Sequence, residues 1–155
     1  LMPLVGINLD IFSIEDFKRL YSSRKVKLLI SPVSLIELKW IIISKTKKMP
    51  LLRRKLRDEY RNLLELILYK DIIRLTPLLD ELIDKEENAL LDRGLNDYFD
   101  RIIFSTALHY ADILLTEDRD IHSIWKNTDR YRHTIILYNW RRFKSSYLEQ
   151  SDISD

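Results

Sequence analysis

The stretch DYFDRIIFSTALHYADILLTEDRDI, residues 97–121, carries carboxylates at both ends of an apolar run. Asp97 and Asp100 stand at its start. Glu117, Asp118 and Asp120 stand just after it. A further acid, Glu37, lies inside the apolar segment SPVSLIELKWIIISK, residues 31–45. Carboxylates that converge repel one another unless they are protonated or share a cation. Oxygen-only donors suit Mg²⁺ or Mn²⁺. The chain has no cysteine, and His109, His122 and His133 lack metal-ligand spacing. They read as surface or satisfied core residues.

Each acid also has a local explanation. With 3.6 residues per turn, Val33, Glu37, Trp40, Ile41 and Ser44 share one side of a helix. Glu37 in that stripe faces the protein, and an unpaired buried charge is costly. It either needs a partner or reaches back to Ser34 in a capping box. Asp100 lies at the edge of the face formed by Phe99, Ile102, Ile103, Thr106, Ala107 and Tyr110. It is also in the first turn, where negative charge suits the helix dipole. Asp97 and Asp118 suit N-caps, Asp120 a first turn, and Glu117 points elsewhere. Taken together, acids from three segments, each beside a strand or core helix, make a candidate pocket.

The elements that must position them are set by periodicity and punctuation. Helices are expected at 13–24, 31–45, 50–70, 77–94, 97–110, 118–125 and 139–150. Strands are expected at 26–31, 72–76, 112–116 and 133–138. Pro32 suits a first turn, and Gly94 a helix stop. Short strands that are apolar on both faces and alternate with helices predict an α/β fold: a short parallel sheet covered by helices in three layers. Ligands of such sheets sit at the carboxyl ends of the strands, and DILLT, residues 112–116, ends directly before Glu117 and Asp118.

A chain of 155 residues fits one domain, residues 1–155, with a real core. No apolar run approaches the roughly 20 residues that span a bilayer, and no signal peptide is visible. With cysteine absent, a cytoplasmic setting is expected. Few glycines and many Ile, Leu, Lys, Arg and Glu lean toward a thermophile. A net charge of +2 leaves nucleic-acid binding to local patches. SKTKKMPLLRRKLR (44–57) and WRRFK (140–144) are two such patches. Either they neutralise phosphates, with Trp140 and Phe143 stacking on bases, or they are solvated helix faces.

ISPVSLIELKW and DYFDRIIFSTALHYADILLTEDRDI together resemble the PIN-domain family of metal-dependent ribonucleases, which includes the VapC-type toxins of bacteria and archaea. Glu37 matches the acid of an S-x-x-x-x-E-L segment. Asp100 through Ala107 match D-x-x-I-x-x-x-A. Asp118 matches the acid of L-[VL]-T-x-D-x-D-[FI], with Asp120 its companion, and Asp97 matches an accessory acid. The resemblance runs from about residue 25 to 138. It implies hydrolysis of RNA with Mg²⁺ or Mn²⁺ held by Glu37, Asp100 and Asp118, supported by Asp120 and Asp97. It also implies an antitoxin protein or a homodimer as partner, for which LLELILY (63–69) would serve as a surface. Thr116 would hydrogen-bond phosphate or water, or simply end its strand.

One departure matters. The family opens with a central strand ending in Asp, within D-[TS]-x-x-L, and nothing here matches it. LMPLVGINLDIF resembles the helix start and loop that come after such a motif, with Asp10 as a substitute acid. Lack of that strand would leave two unpaired edges and a gap in the core, to be filled by residues 4–9 or by another subunit. The competing reading is therefore a catalytically inactive PIN-fold module that binds RNA or a protein. A receiver-like signalling domain expects paired acids after the first strand and a lysine after the last, and shows neither.

Overall fold

The computed structural model describes residue 5 and residues 13–22, 26–69 and 73–148. Along these the order is α1 (Ile14–Ser22), β1 (Leu28–Ile30), α2 (Pro32–Lys45), α3 (Pro50–Tyr69), β2 (Ile73–Leu75), α4 (Glu81–Asp92), α5 (Tyr98–Tyr110), β3 (Ile113–Leu115), α6 (Arg119–Asn127), α7 (Asp129–Thr134), β4 (Ile136–Tyr138) and α8 (Trp140–Tyr147). No helix among the described residues is long and apolar enough to cross a membrane.

Helix boundaries obey local chemistry. α2 has Ser31 as its N-cap and Pro32 in its first turn, so Ser34 lies inside the helix and the Ser34–Glu37 capping box does not form. α4 starts at Glu81 rather than at 77, because the Asp80 side chain accepts the Ile83 N–H at 2.8 Å. At its far end Gly94 takes φ +90°. The Gly94 N–H donates to Leu91 O and the Leu95 N–H to Leu90 O, at 2.9 and 3.1 Å. Those two bonds make a Schellman stop, with Leu95 packed in the same core cluster as Leu90. A Cβ at Gly94 would meet nothing within 4 Å, so only backbone strain opposes one. Gly94→Ala is expected to cost about 1 kcal/mol, the left-handed penalty for an L-residue, read as a lowered midpoint in urea unfolding.

The strands are parallel, as expected, but they pair as two separate ribbons. β1 pairs with β2 in the register Leu28↔Ile73 to Ile30↔Leu75, and β3 with β4 from Ile113↔Ile136 to Leu115↔Tyr138. Among the described residues no ladder joins the ribbons. Asp10 and most of the expected bridging stretch, residues 4–9, lie outside the described residues. Val5 is fully buried in the cluster that also holds Ile30, Leu38, Leu63 and Ile73. Side chains link the ribbons instead. Leu28 of β1 and Leu115 of β3 pack into one cluster with Phe17 and Leu20 of α1 and Phe143 of α8. Lys144 reinforces this join through a 3.1 Å ion pair with the buried Asp16.

Three further expectations need correction. The segment 133–138 starts as helix: α7 runs through Thr134 because Tyr131 is fully buried there, edge-on to Phe104 at 5.3 Å between ring centroids. Phe143 is buried and stacks on Tyr147 at 5.0 Å, so it presents no face to a nucleic-acid base. Trp40 does not share the inward side of Glu37 but is strongly exposed. α2 is apolar nearly all round, so its sequence pattern does not define which side turns inward.

A small core cluster registers the helices that matter for the acids. Val33 of α2, Ile83 of α4 and Ile102 of α5 are buried together, with Ile103 against them. Glu37 lies one turn beyond Val33, and Asp100 just before Ile102.

Candidate acidic site

Glu37 comes from the second turn of α2. It is half-buried and has no hydrogen-bond or ion-pair partner among the described residues. Asp100 comes from the first turn of α5 and is also half-buried. Asp97 is the N-cap of α5: its Oδ1 accepts the N–H groups of Phe99 and Asp100 at 2.8 and 3.1 Å. Asp118 is the N-cap of α6, its Oδ1 accepting the N–H groups of Asp120 and Ile121 at 2.9 and 2.8 Å. Each cap uses one carboxylate oxygen and leaves the second outside it. The capping explanation and the pocket explanation are therefore compatible for both residues.

The end of β3 is held with care. The Thr116 N–H donates to Tyr138 O at 3.0 Å, continuing the β3–β4 ladder. The Thr116 hydroxyl accepts the Asp118 N–H at 3.1 Å, and His122 Nε2 stands 3.0 Å from Thr116 O. The turn from β3 into α6, which carries Asp118, is thus fixed on both sides. Glu117 does point elsewhere, accepting the Trp140 N–H at 2.8 Å at the start of α8.

The acids act on one another. Burial first, then the charges of Asp118, Asp97, Glu37 and Asp120, push the Asp100 carboxyl up to about 7. Burial, then Asp97 and Asp118, also raises Glu37. All five candidate residues therefore converge on one region, and every charge shifting Asp100 is an acid. Such a donor set, all oxygen and uncompensated, fits a hard divalent cation. Its geometry is open: no three His, Asp or Glu side chains among the described residues are already arranged to hold one ion. Two surface cavities, of about 540 and 360 Å³, lie away from these acids.

The sequence reading missed a buried network behind the pocket. Arg101 and Glu87 are both buried, and Arg101 Nε donates to Glu87 Oε1 at 2.5 Å. Nη1 of Arg101 donates to the carbonyls of Leu95 and Asn96 at 3.0 and 2.7 Å. One guanidinium thus ties α4 to the loop that delivers Asp97 and Asp100. Beside it, buried Glu86 accepts the Tyr131 hydroxyl at 2.8 Å and Arg130 Nη2 at 2.5 Å. The signal was present in the spacing: Glu86 and Glu87 fall at core positions between Ile83 and Leu90.

Residues 9–127, most of the chain, match the family model of the PIN domain. The chain belongs to the PIN-domain family. PIN domains are commonly nucleases and typically use divalent metal ions, which agrees with the nuclease-type reading of this PIN domain's acids. No curated protein and no solved structure matches the chain.

Proposed function

We propose that this PIN domain is a metal-dependent endoribonuclease that hydrolyses RNA phosphodiester bonds. Glu37, Asp100 and Asp118 are the ligands, with Asp120 and Asp97 in support. The observation that carries the reading is the convergence of four other carboxylates on Asp100 with no basic group among the charges acting on it. When bound, Mg²⁺ or Mn²⁺ supplies charge neutralisation at the phosphate and acidifies water for attack on phosphorus. The chain's own part is placement. The two caps orient Asp97 and Asp118, and the Thr116 hydroxyl holds the turn before Asp118. The role of a toxin restrained by an antitoxin, or of a homodimer, extends this reading. Exposed Leu66, Leu68 and Tyr69 on α3 support a protein partner there.

The test is Mn²⁺ titration read by melting and by cleavage of a labelled RNA. Binding of the ion to the folded state alone stabilises by about 2.7 kcal/mol at a hundred times Kd. The melting temperature is expected to climb with Mn²⁺, and cleavage to start with it. Asp118→Asn should lose both while keeping its fold, because Asn is also a good N-cap. A flat melting curve across the titration would overturn the metal-site reading. A second reading, a module that binds RNA or protein without cutting, draws support from the open arrangement of the acids. RNA binding with neither metal response nor cleavage would select it.

A further inference from the structure

α2 separates two regions of opposite charge. On one side Glu37 joins the acids. Roughly opposite, by helical spacing, Lys39 faces α3. Between them an apolar stripe at i, i+4 and i+7 lies open to solvent: Ile36, Trp40 and Ile43 are 53%, 69% and 41% exposed. Trp40, at its centre, is one turn from Glu37.

The α3 side is strongly basic and firmly placed. The Tyr60 hydroxyl donates to Leu35 O at 3.1 Å, fixing α3 against α2, and Lys39 Nζ lies 4.4 Å from the centroid of the Tyr60 ring. On α3, Arg57 lies one turn before Tyr60 and Arg61 directly after it. With Arg53 and Arg54 they line the cavity of about 360 Å³, where Asp58 is the sole acid among the described residues. Asp58 stands 3.7 Å from Arg61, both exposed.

Charge selects the occupant. A second copy meeting this face about a two-fold axis would set like pockets together, which the four arginines oppose. A polyanion that also carries flat apolar groups matches both halves of the surface. In a duplex the base faces are already stacked, so only a single strand can offer one to an indole on a helix crest.

We propose that this surface binds a single RNA strand. One base stacks on Trp40, the adjoining phosphates lie along Arg53, Arg57 and Arg61, and the strand continues over α2 into the acidic site. The last clause rests on the nuclease reading, whereas the binding surface does not.

The test is fluorescence anisotropy with a labelled single-stranded RNA of about 12 nucleotides, within the range such surfaces cover, in EDTA so that no cleavage occurs. Trp40→Ala is expected to weaken binding about tenfold or more, and Trp40→Phe far less, as stacking requires. Arg53→Gln with Arg57→Gln should flatten the slope of log K against log salt by about 1.4, the counterions of two single-strand phosphates. A duplex of the same sequence should be indifferent to Trp40→Ala. Unchanged single-strand affinity in Trp40→Ala would overturn the proposal. So would an equal loss on duplex, or a Trp40→Ala effect confined to the sedimentation of copies on one another. Restoring Mn²⁺ separates the two readings. Trp40-dependent binding without cleavage leaves the surface and removes the nuclease. Cleavage indifferent to Trp40→Ala leaves the nuclease and overturns the path of the strand from Trp40 into the acidic site.

Discussion

Asp100→Asn, without divalent metal, is expected to melt several degrees above the parent chain at about pH 8 and level with it near pH 3, a linkage effect of one carboxyl. The folded carboxyl titrates at about 7 against an ordinary 3.8. The folded chain therefore holds this proton more tightly than the unfolded chain. Stability is full below the lower value, falls as pH rises between the two, and is flat above the upper. Asn carries no such loss. Asp100 is only half-buried, so solvent screening reduces the effect to about 1–2 kcal/mol. For a domain of this size that is about 3–6 °C. Calorimetry across the range checks it, with the gap opening between 3.8 and about 7. Cleavage with Mn²⁺ should move the other way, falling roughly 10²-fold or more, as when one charge-stabilising group is removed. With Mn²⁺ saturating, the parent chain should overtake the variant in stability. A variant that melts lower at every pH would make Asp100 a structural residue of the first turn of α5.

The acids stand out in the sequence because capping and convergence ask for the same placement. Asp97 and Asp118 sit where a helix start wants an acceptor, and the topology sets both helix starts beside Asp100. Neither purpose hides the other, since each cap needs only one oxygen. Glu37 was recognisable by its isolation among Ile and Leu side chains. What could not be read lies where local pattern is silent. α2 has so few polar residues that periodicity could not say Trp40 faces water. α7 is six residues long and is held by one buried tyrosine, which no local rule announces. The split of the described strands into two ribbons depends on which distant segments meet. Glu86 and Glu87 fall at core positions of α4, but nothing local says that Arg101 and Tyr131 arrive from elsewhere in the chain to meet them.

Arg101→Met should be the most destabilising single change behind the site. It leaves Glu87 as a buried charge without its partner and two loop carbonyls without their donor. Breaking a buried pair in this way costs about 3–5 kcal/mol, and denaturant unfolding should show a loss of that size. Adding Glu87→Leu removes the stranded charge, and replacing a buried ion pair by apolar side chains is often neutral or better. The double variant should therefore recover most of the lost stability. It does not restore the hold on Leu95 and Asn96, the carbonyls that the guanidinium grips just before Asp97. If Arg101 positions the site, the rescued fold should still bind Mn²⁺ more weakly than the parent, by about 10–100-fold as for other supports of metal ligands. If Arg101 serves stability alone, metal affinity should return together with the melting temperature. Metal titration of the double variant separates the two roles, because stability and site geometry then no longer change together.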